Sequence, residues 1–394
     1  TGSNATVNFT VFKHNSTTSV NIANITYNNN ATVNVNVTGV NGTDLSGNVT
    51  VTVQGVAGSW NGTVNHDGVV SVMVPGLVAG NYTAEITYSG NGNYTGSNAT
   101  VNFTVFKHNS TTNVTIANIT YNENATVIVN VTGVDGTDLS GNVTVTIDGV
   151  TWNGTVDRDG VVSVIVPGLV AGDYTAEITY WGNGNYTGSN ATVNFTVFKH
   201  NSTTNVTIKD ITYNENATVI VNVTGVKGTD LSGNVAVTIK GIKDSWNGTV
   251  DLDGVVSITV SGLDAGDYTA EIKYLGNGNY TESKATVNFT VFKHNSTTSA
   301  TIKDITYGDN AIVKVNVTGI KDTNLLGKVI VTIEGITGSW NGTVNSKGSG
   351  SVNVPGLAAG NYTATIVYSG NSNYNKSNTT VKFNVAKANA TVNG

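Results

Sequence analysis

Apolar and polar residues alternate one by one along most of this chain. The clearest stretch is Ala31-Thr32-Val33-Asn34-Val35-Asn36-Val37-Thr38, with Val on one side and Asn or Thr on the other. Such a period of two marks a strand with one buried face, because successive side chains point to opposite faces of a sheet. The rhythm returns in Val49, Val51 and Val53; in Trp60, Gly62 and Val64; in Val70, Val72 and Val74; in Tyr82, Ala84, Ile86 and Tyr88; and in Ala99, Val101, Phe103 and Val105. With a first strand through Val20 and Ile22, these segments predict seven strands, A to G, the one holding Trp60 being D. Strand A changes parity between Ile22 and Ile25, which predicts a bulge or a switch of sheet.

The breaks carry turn chemistry. Asp44-Leu45-Ser46-Gly47 separates B from C, and His66-Asp67-Gly68 separates D from E, where Gly supplies φ > 0. Pro75 to Tyr82 has the spacing of a tyrosine corner, in which a Tyr hydroxyl bonds back to the backbone at the corner of a sandwich. Tyr174, Tyr268 and Tyr362 hold the same place.

The whole pattern then repeats. Residues 1–18 recur unchanged at 95–112, and Phe9, Phe103, Phe195, Phe289 and Phe383 step along at intervals of 92 or 94 residues. That is the size of one β-sandwich and far above the unit of a solenoid. The expected repeats are 14–106, 107–198, 199–292 and 293–386. Residues 1–13 read as the last strand of a preceding repeat and 387–394 as the first strand of a following one, as in a piece of a longer array. The second repeat offers a check. Val150-Thr151-Trp152 is two residues shorter than Val56 to Trp60, a change that keeps every later side chain on its own face. The fold class is therefore all-β: a tandem array of four seven-stranded immunoglobulin-like β-sandwiches with tyrosine corners.

Composition narrows the function. Only 11% of the 394 residues are charged and the net charge is −6, with no basic run. Nucleic acid is not an expected partner. Cysteine is absent, which excludes disulfides. No apolar stretch approaches the ~20 residues of a membrane-spanning helix.

The segments ITYNNNA, GNVTV, WNGTV, PGLVAGNYTAEITYSGNGNY and ATVNFTVFK together resemble the Ig-like repeats of adhesin-like surface proteins of methanogenic archaea, which are similar to repeats in bacterial surface proteins. The third repeat departs from the pattern, with Ser261 where Pro75, Pro167 and Pro355 stand. The resemblance covers essentially the whole chain. It implies an extracellular, cell-surface location and a structural part, extending and presenting other regions.

No enzymatic chemistry is expected. His14, His108, His200 and His294 stand singly at the junctions without Cys or a carboxylate cluster, so neither a metal site nor a catalytic set is predicted. No cofactor is called for. Asp157 with Asp159, and Asp251 with Asp253, bring carboxylates together in a hairpin turn, but calcium needs six to eight oxygens. Lys347 occupies the same turn of the fourth repeat, so the turn reading is preferred. A Lys–Asn isopeptide staple would need a buried Lys and acid. Lys13, Lys107, Lys199 and Lys293 lie at junctions instead, and Glu85, Glu177 and Glu271 face outward by parity.

The Asn-x-Ser/Thr sequon is the modification signal. It recurs in all four repeats at the junction (Asn15, Asn109, Asn201, Asn295), on strand B (Asn36, Asn130, Asn222, Asn316) and beside the Trp of strand D (Asn61, Asn153, Asn247, Asn341). Asn-Val-Thr alternation also produces sequons automatically. Phe12, Phe106, Phe198 and Phe292 face outward by parity and are expected to pack on the neighbouring repeat. A short linker without Gly or Pro would then leave a semi-rigid glycosylated rod of roughly 150 Å, estimated from ~8–10 residue strands. The expected function is the stalk of a cell-surface adhesin-like protein. Its partners would be neighbouring repeats, with ligands bound by regions outside this segment. The alternative is self-assembly into an extracellular filament through exposed strand edges. Carbohydrate binding through Trp60, Trp152, Trp246 and Trp340 ranks lower, since these face the core, whereas Trp181 is expected to be exposed in its loop.

Overall fold

The computed structural model describes residues 1–389, and every regular element in them is a β-strand. The first repeat contains β1 (Thr17–Ile22), β2 (Ile25–Thr26), β3 (Ala31–Thr38), β4 (Gly47–Val53), β5 (Trp60–Val64), β6 (Val69–Val74), β7 (Gly80–Tyr88) and β8 (Ser97–Phe106). The other repeats follow the same order, giving β9–β16, β17–β24 and β25–β32 between Thr111 and Ala386. Two compact units result, Thr1–Phe198 and a second from Lys199, each holding two repeats.

In the first repeat one sheet has the order β1-β3-β6 and the other β2-β8-β7-β4-β5. The parity change in strand A is thus a switch of sheet. β1 pairs antiparallel with β3, and two residues after it ends, β2 pairs parallel with β8, Ile25 opposite Val105. The Trp60 strand needs a correction. It pairs with β4, Trp60 opposite Val51, and so extends the larger sheet as a C′ strand rather than joining the smaller one as D.

The core follows the alternation. β3 reads buried–exposed without a fault, and its Val side chains meet Val49, Val51, Ala84, Ile86 and Tyr88 of the facing sheet. Two buried tyrosines close one end of each sandwich. Tyr88 donates its hydroxyl to the Leu45 carbonyl at 2.9 Å, and the Tyr94 hydroxyl accepts the Val40 N–H at 2.9 Å. A Cβ on Gly39 would lie 2.5 Å from the Tyr94 ring, so this position admits glycine alone; Gly133, Gly225 and Gly319 stand in the same relation to Tyr186, Tyr280 and Tyr374.

The fourth repeat differs in one pairing. Val344 meets Gly350, and this joins its two sheets into one of eight strands. A Cβ at Gly350 would sit 2.4 Å from the Thr343 carbonyl oxygen. The missing side chain is what lets the two backbones close there. Val70 holds the equivalent position in the first repeat and packs over Gly62.

Residues 1–13 form no regular strand, and Val7, Phe9 and Val11 are more than 80% exposed, whereas their counterparts Phe103 and Val105 are buried. The expectation of a first strand at 387–394 falls partly outside the described residues. Residues 387–389 carry no regular structure.

Candidate functional site: the junction between repeats

The linker is zipped onto the repeat it enters. His108 N–H donates to the Asn185 carbonyl and Thr187 N–H returns to the His108 carbonyl, both at 2.9 Å. Lys107 Nζ reaches the Asn183 carbonyl at 2.6 Å, and the His108 ring meets the Tyr186 ring edge-on. Lys107, Lys199 and Lys293, with the junction histidines, therefore hold the linker against the Gly-Asn-Gly/Ser-Asn-Tyr loop. His14, His200 and His294 form the same parallel bridge to Tyr94, Tyr280 and Tyr374.

That loop is built on one amide. Asn91 Oδ1 accepts the N–H groups of Asn93 and Tyr94, while Nδ2 donates to the carbonyls of Asp44 and Ser46. Asn183, Asn277 and Asn371 do the same in their repeats, with Asn324 and Leu326 replacing the aspartate and the serine in the last. Sequence reasoning passed over this residue; its signal was the return of the same loop four times.

The tyrosine corner forms the other half of the junction. Tyr82 donates to the Val78 carbonyl at 3.0 Å and its ring stacks on Phe103. Tyr174, Tyr268 and Tyr362 bond to Val170, Asp264 and Ala358 in the same way. This fixes the corner, and the next N–H, that of Ala79, is presented to the second repeat. It donates to Asn185 Oδ1 at 3.0 Å.

One ring crosses the junction. Thr26 to Asn29 make a tight turn, closed by Asn29 N–H to the Thr26 carbonyl, with Asn28 at φ 72°. Asn tolerates this left-handed conformation. Tyr27, at the turn's second position, packs on the cores of both the first and the second repeat, and its ring meets that of Tyr186 edge-on at 5.7 Å. Within the second unit Tyr213 packs on the core of the fourth repeat, its ring edge-on to that of Tyr374 at 5.7 Å. There Ala265 N–H donates to Asn373 Oδ1 at 2.8 Å, and Asn373 Nδ2 donates to Asp264 Oδ1 at 2.9 Å. Burial, then the charge of Asp264, pushes the Tyr213 phenol above its ordinary value. Tyr307, the same residue in the fourth repeat, is 59% exposed.

The sequence pointed to phenylalanine for this contact. Phe12 is exposed, and Phe106, Phe198 and Phe292 are each about half exposed. The contact between the first two repeats is made by Tyr27, one strand away from Phe106, whose carbonyl accepts the Tyr27 N–H at 2.8 Å.

The twelve sequon asparagines of the junction, strand B and the C′ strand (Asn15, Asn36, Asn61 and their counterparts) are all exposed. Trp60, Trp152 and Trp340 are partly buried against their own cores. Asp157 and Asp251 each spend a carboxylate oxygen on an N–H of their own hairpin, at 2.8 Å. Among the described residues, no three His, Asp or Glu side chains gather as a metal site would require, and no helix is long and apolar enough to cross a membrane.

No protein-family model matches this chain, and no curated protein does. Solved structures similar to it include invasin, a bacterial integrin-binding protein (15% identity, 94% of this chain and 79% of that one, TM-score 0.38). Others are a bacterial ice-binding adhesin studied for retention on the host cell surface (21% identity, 70% and 97%, TM-score 0.31) and immunoglobulin domains 1–5 of Sidekick-1 (13% identity, 97% and 80%, TM-score 0.30).

Proposed function

We propose that the chain is a spacer: an adhesin-like, extracellular, cell-surface stalk whose repeats are stiffened in pairs and glycosylated on their Asn/Thr faces. The observation that carries this reading is Tyr27, a side chain that belongs to the packing of two consecutive repeats at once. A bead-on-string chain has no use for such a residue. Its neighbours, the corner N–H of Ala79 and the amide of Asn185, add a directional bond that fixes rotation as well as distance. The exposure of all twelve recurrent sequon asparagines supports glycosylation. A ligand, in this reading, is met by regions outside the segment.

Small-angle scattering on the full chain tests the proposal. Wild type should scatter with restricted flexibility, and the double variant Tyr27→Ala, Tyr213→Ala should become measurably more flexible with its repeats still folded. Scattering of the wild type as freely jointed domains would reject the stalk. A second reading, a filament subunit, is supported by strands such as β1 and β5 of the first repeat, which stand at the edges of their sheets. Sedimentation decides between the two: concentration-dependent growth into fibres supports the filament, and a single monomeric species supports the stalk.

A further inference from the structure

Trp181 breaks the pattern of its repeat family. It follows β15 (Gly172–Tyr180), at the position of Ser89, Leu275 and Ser369 in the other three repeats. It is 65% exposed, and the other four tryptophans are not among the exposed large side chains. An indole left in water forgoes ~2 kcal/mol or more of burial. Nothing in the fold of this repeat requires that, since Ser serves in two others.

The indole borders a groove of about 650 Å3 on the outer face of the larger sheet. Its lining comes from β12 (Gly141–Ile147) and β13 (Val150–Val156), whose outward residues pair as Asn142 with Thr155 and Thr144 with Asn153. The backbone N–H of Trp181 donates to the Asn142 carbonyl at 3.0 Å, which sets the residue at the end of this row, where it lines the groove. The groove thus combines one flat apolar plate with two amides and two hydroxyls, and its lining holds no charged residue.

From this combination we infer that the Trp181 groove binds a neutral pyranose. One face of a sugar ring presents C–H groups that lie on an indole, while its edge presents hydroxyls that both donate and accept. Amide and hydroxyl side chains answer those in either sense. A phosphate or carboxylate ligand would find no cation in the lining, and a purely apolar ligand would strand the amides. Asn142 and Asn153 are themselves sequon asparagines, each followed two residues on by Thr. The pyranose therefore has two sources with one chemistry: a free or cell-bound oligosaccharide, or the first sugars of the chain's own glycan folded back onto Trp181.

Tryptophan fluorescence of the full chain separates these. In one arm, unglycosylated chain from a bacterial host is titrated with cellotetraose, chitotetraose and mannotetraose. A free ligand gives saturable quenching with a blue shift, weakened at least tenfold in Trp181→Ser. In the other arm, chain from a host that attaches N-glycans is treated with a glycosidase. A folded-back glycan gives a red shift on its removal, absent in Trp181→Ser and in the variant Asn142→Gln, Asn153→Gln. Ser is native to this position in two repeats, so the Trp181→Ser chain should unfold at the same urea midpoint. The inference is overturned if neither arm changes the emission, or if Trp181→Ser responds as wild type does.

Discussion

The junction inside the first unit and the one inside the second are built from the same parts and bonded differently. Both place a turn tyrosine, Tyr27 or Tyr213, edge-on against a buried tyrosine of the next repeat, and both give a corner N–H to an asparagine Oδ1. In the second unit Asp264 also takes the asparagine's Nδ2, and Asn373 is buried. In the first unit Val78 stands in place of Asp264, and Asn185 is only half buried. The sequence around the amide differs to match. Asn185-Tyr186-Thr187 is a sequon, whereas Asn373-Tyr374-Asn375 is not. The ring contact is thus the common hinge stop, and the amide is the adjustable part. Where its nitrogen is committed to a neighbouring carboxylate, it is not offered as a glycan acceptor.

Removing the rings should have the largest effect. Tyr27→Ala or Tyr213→Ala takes away a partly buried aromatic and should cost about 2 kcal/mol in its own unit, below the ~3–5 kcal/mol of a fully buried ring. Urea unfolding read separately on each two-repeat unit would show it. Next come the amides. Asn373→Ala strips partners from both Ala265 N–H and Asp264, and Asn185→Ala from Ala79 N–H alone. The first should cost roughly 1–3 kcal/mol and the second about 1 kcal/mol. Equal losses would mean that Asp264 contributes nothing.

Alkali gives a third contrast. Burial, ahead of the charges of Asp44, Asp138 and Asp230, raises the phenols of Tyr88, Tyr180 and Tyr274; burial, ahead of Tyr374, raises that of Tyr368. Unfolded tyrosines ionise near pH ~10 while these remain protonated, so the folded chain holds more protons there. The stability they contribute is complete below about pH 10 and is lost as pH rises towards the raised values. Phenolate absorbance should therefore lag and then rise together with unfolding, and Tyr213→Phe should remove part of the lag in the second unit. The smallest effect is one of occupancy. In a host that attaches N-glycans, glycopeptide mass spectrometry should find more glycan on exposed Asn93 than on Asn185, which occupies the same loop position under a junction. Equal occupancy would count against the contact's persistence.

The sheets were legible because each strand has one wet face and one dry one, and a period of two records nothing else. Even the sheet switch of strand A left its trace as the slip between Ile22 and Ile25. The junction was harder to see. Tyr27 falls on the inward parity of β2 and so reads as a core residue of its own repeat. It is that, but it also projects from the end of the sandwich, and alternation carries no information about ends. Phe106 reads as outward and stays about half exposed, while the ring that meets the next repeat's buried tyrosine is that of Tyr27. The C′ pairing of the Trp60 strand was missed for a related reason: parity gives the face a residue takes, not the strand it lies beside. Asn91 was missed because its four bonds all go to backbone, which leaves no partner residue type to search for.

The parallel pairing of β2 with β8 has a mechanical consequence. β2 lies near the start of a repeat, just behind β1, and β8 closes it, so tension applied through the chain draws them past each other along their length. Tyr27 N–H to the Phe106 carbonyl, Thr104 N–H to Asn24 Oδ1 and the bridge of His14 to Tyr94 then carry load together, not one after another. A pulling experiment on the chain should register each repeat as a single abrupt rupture without an earlier, softer step.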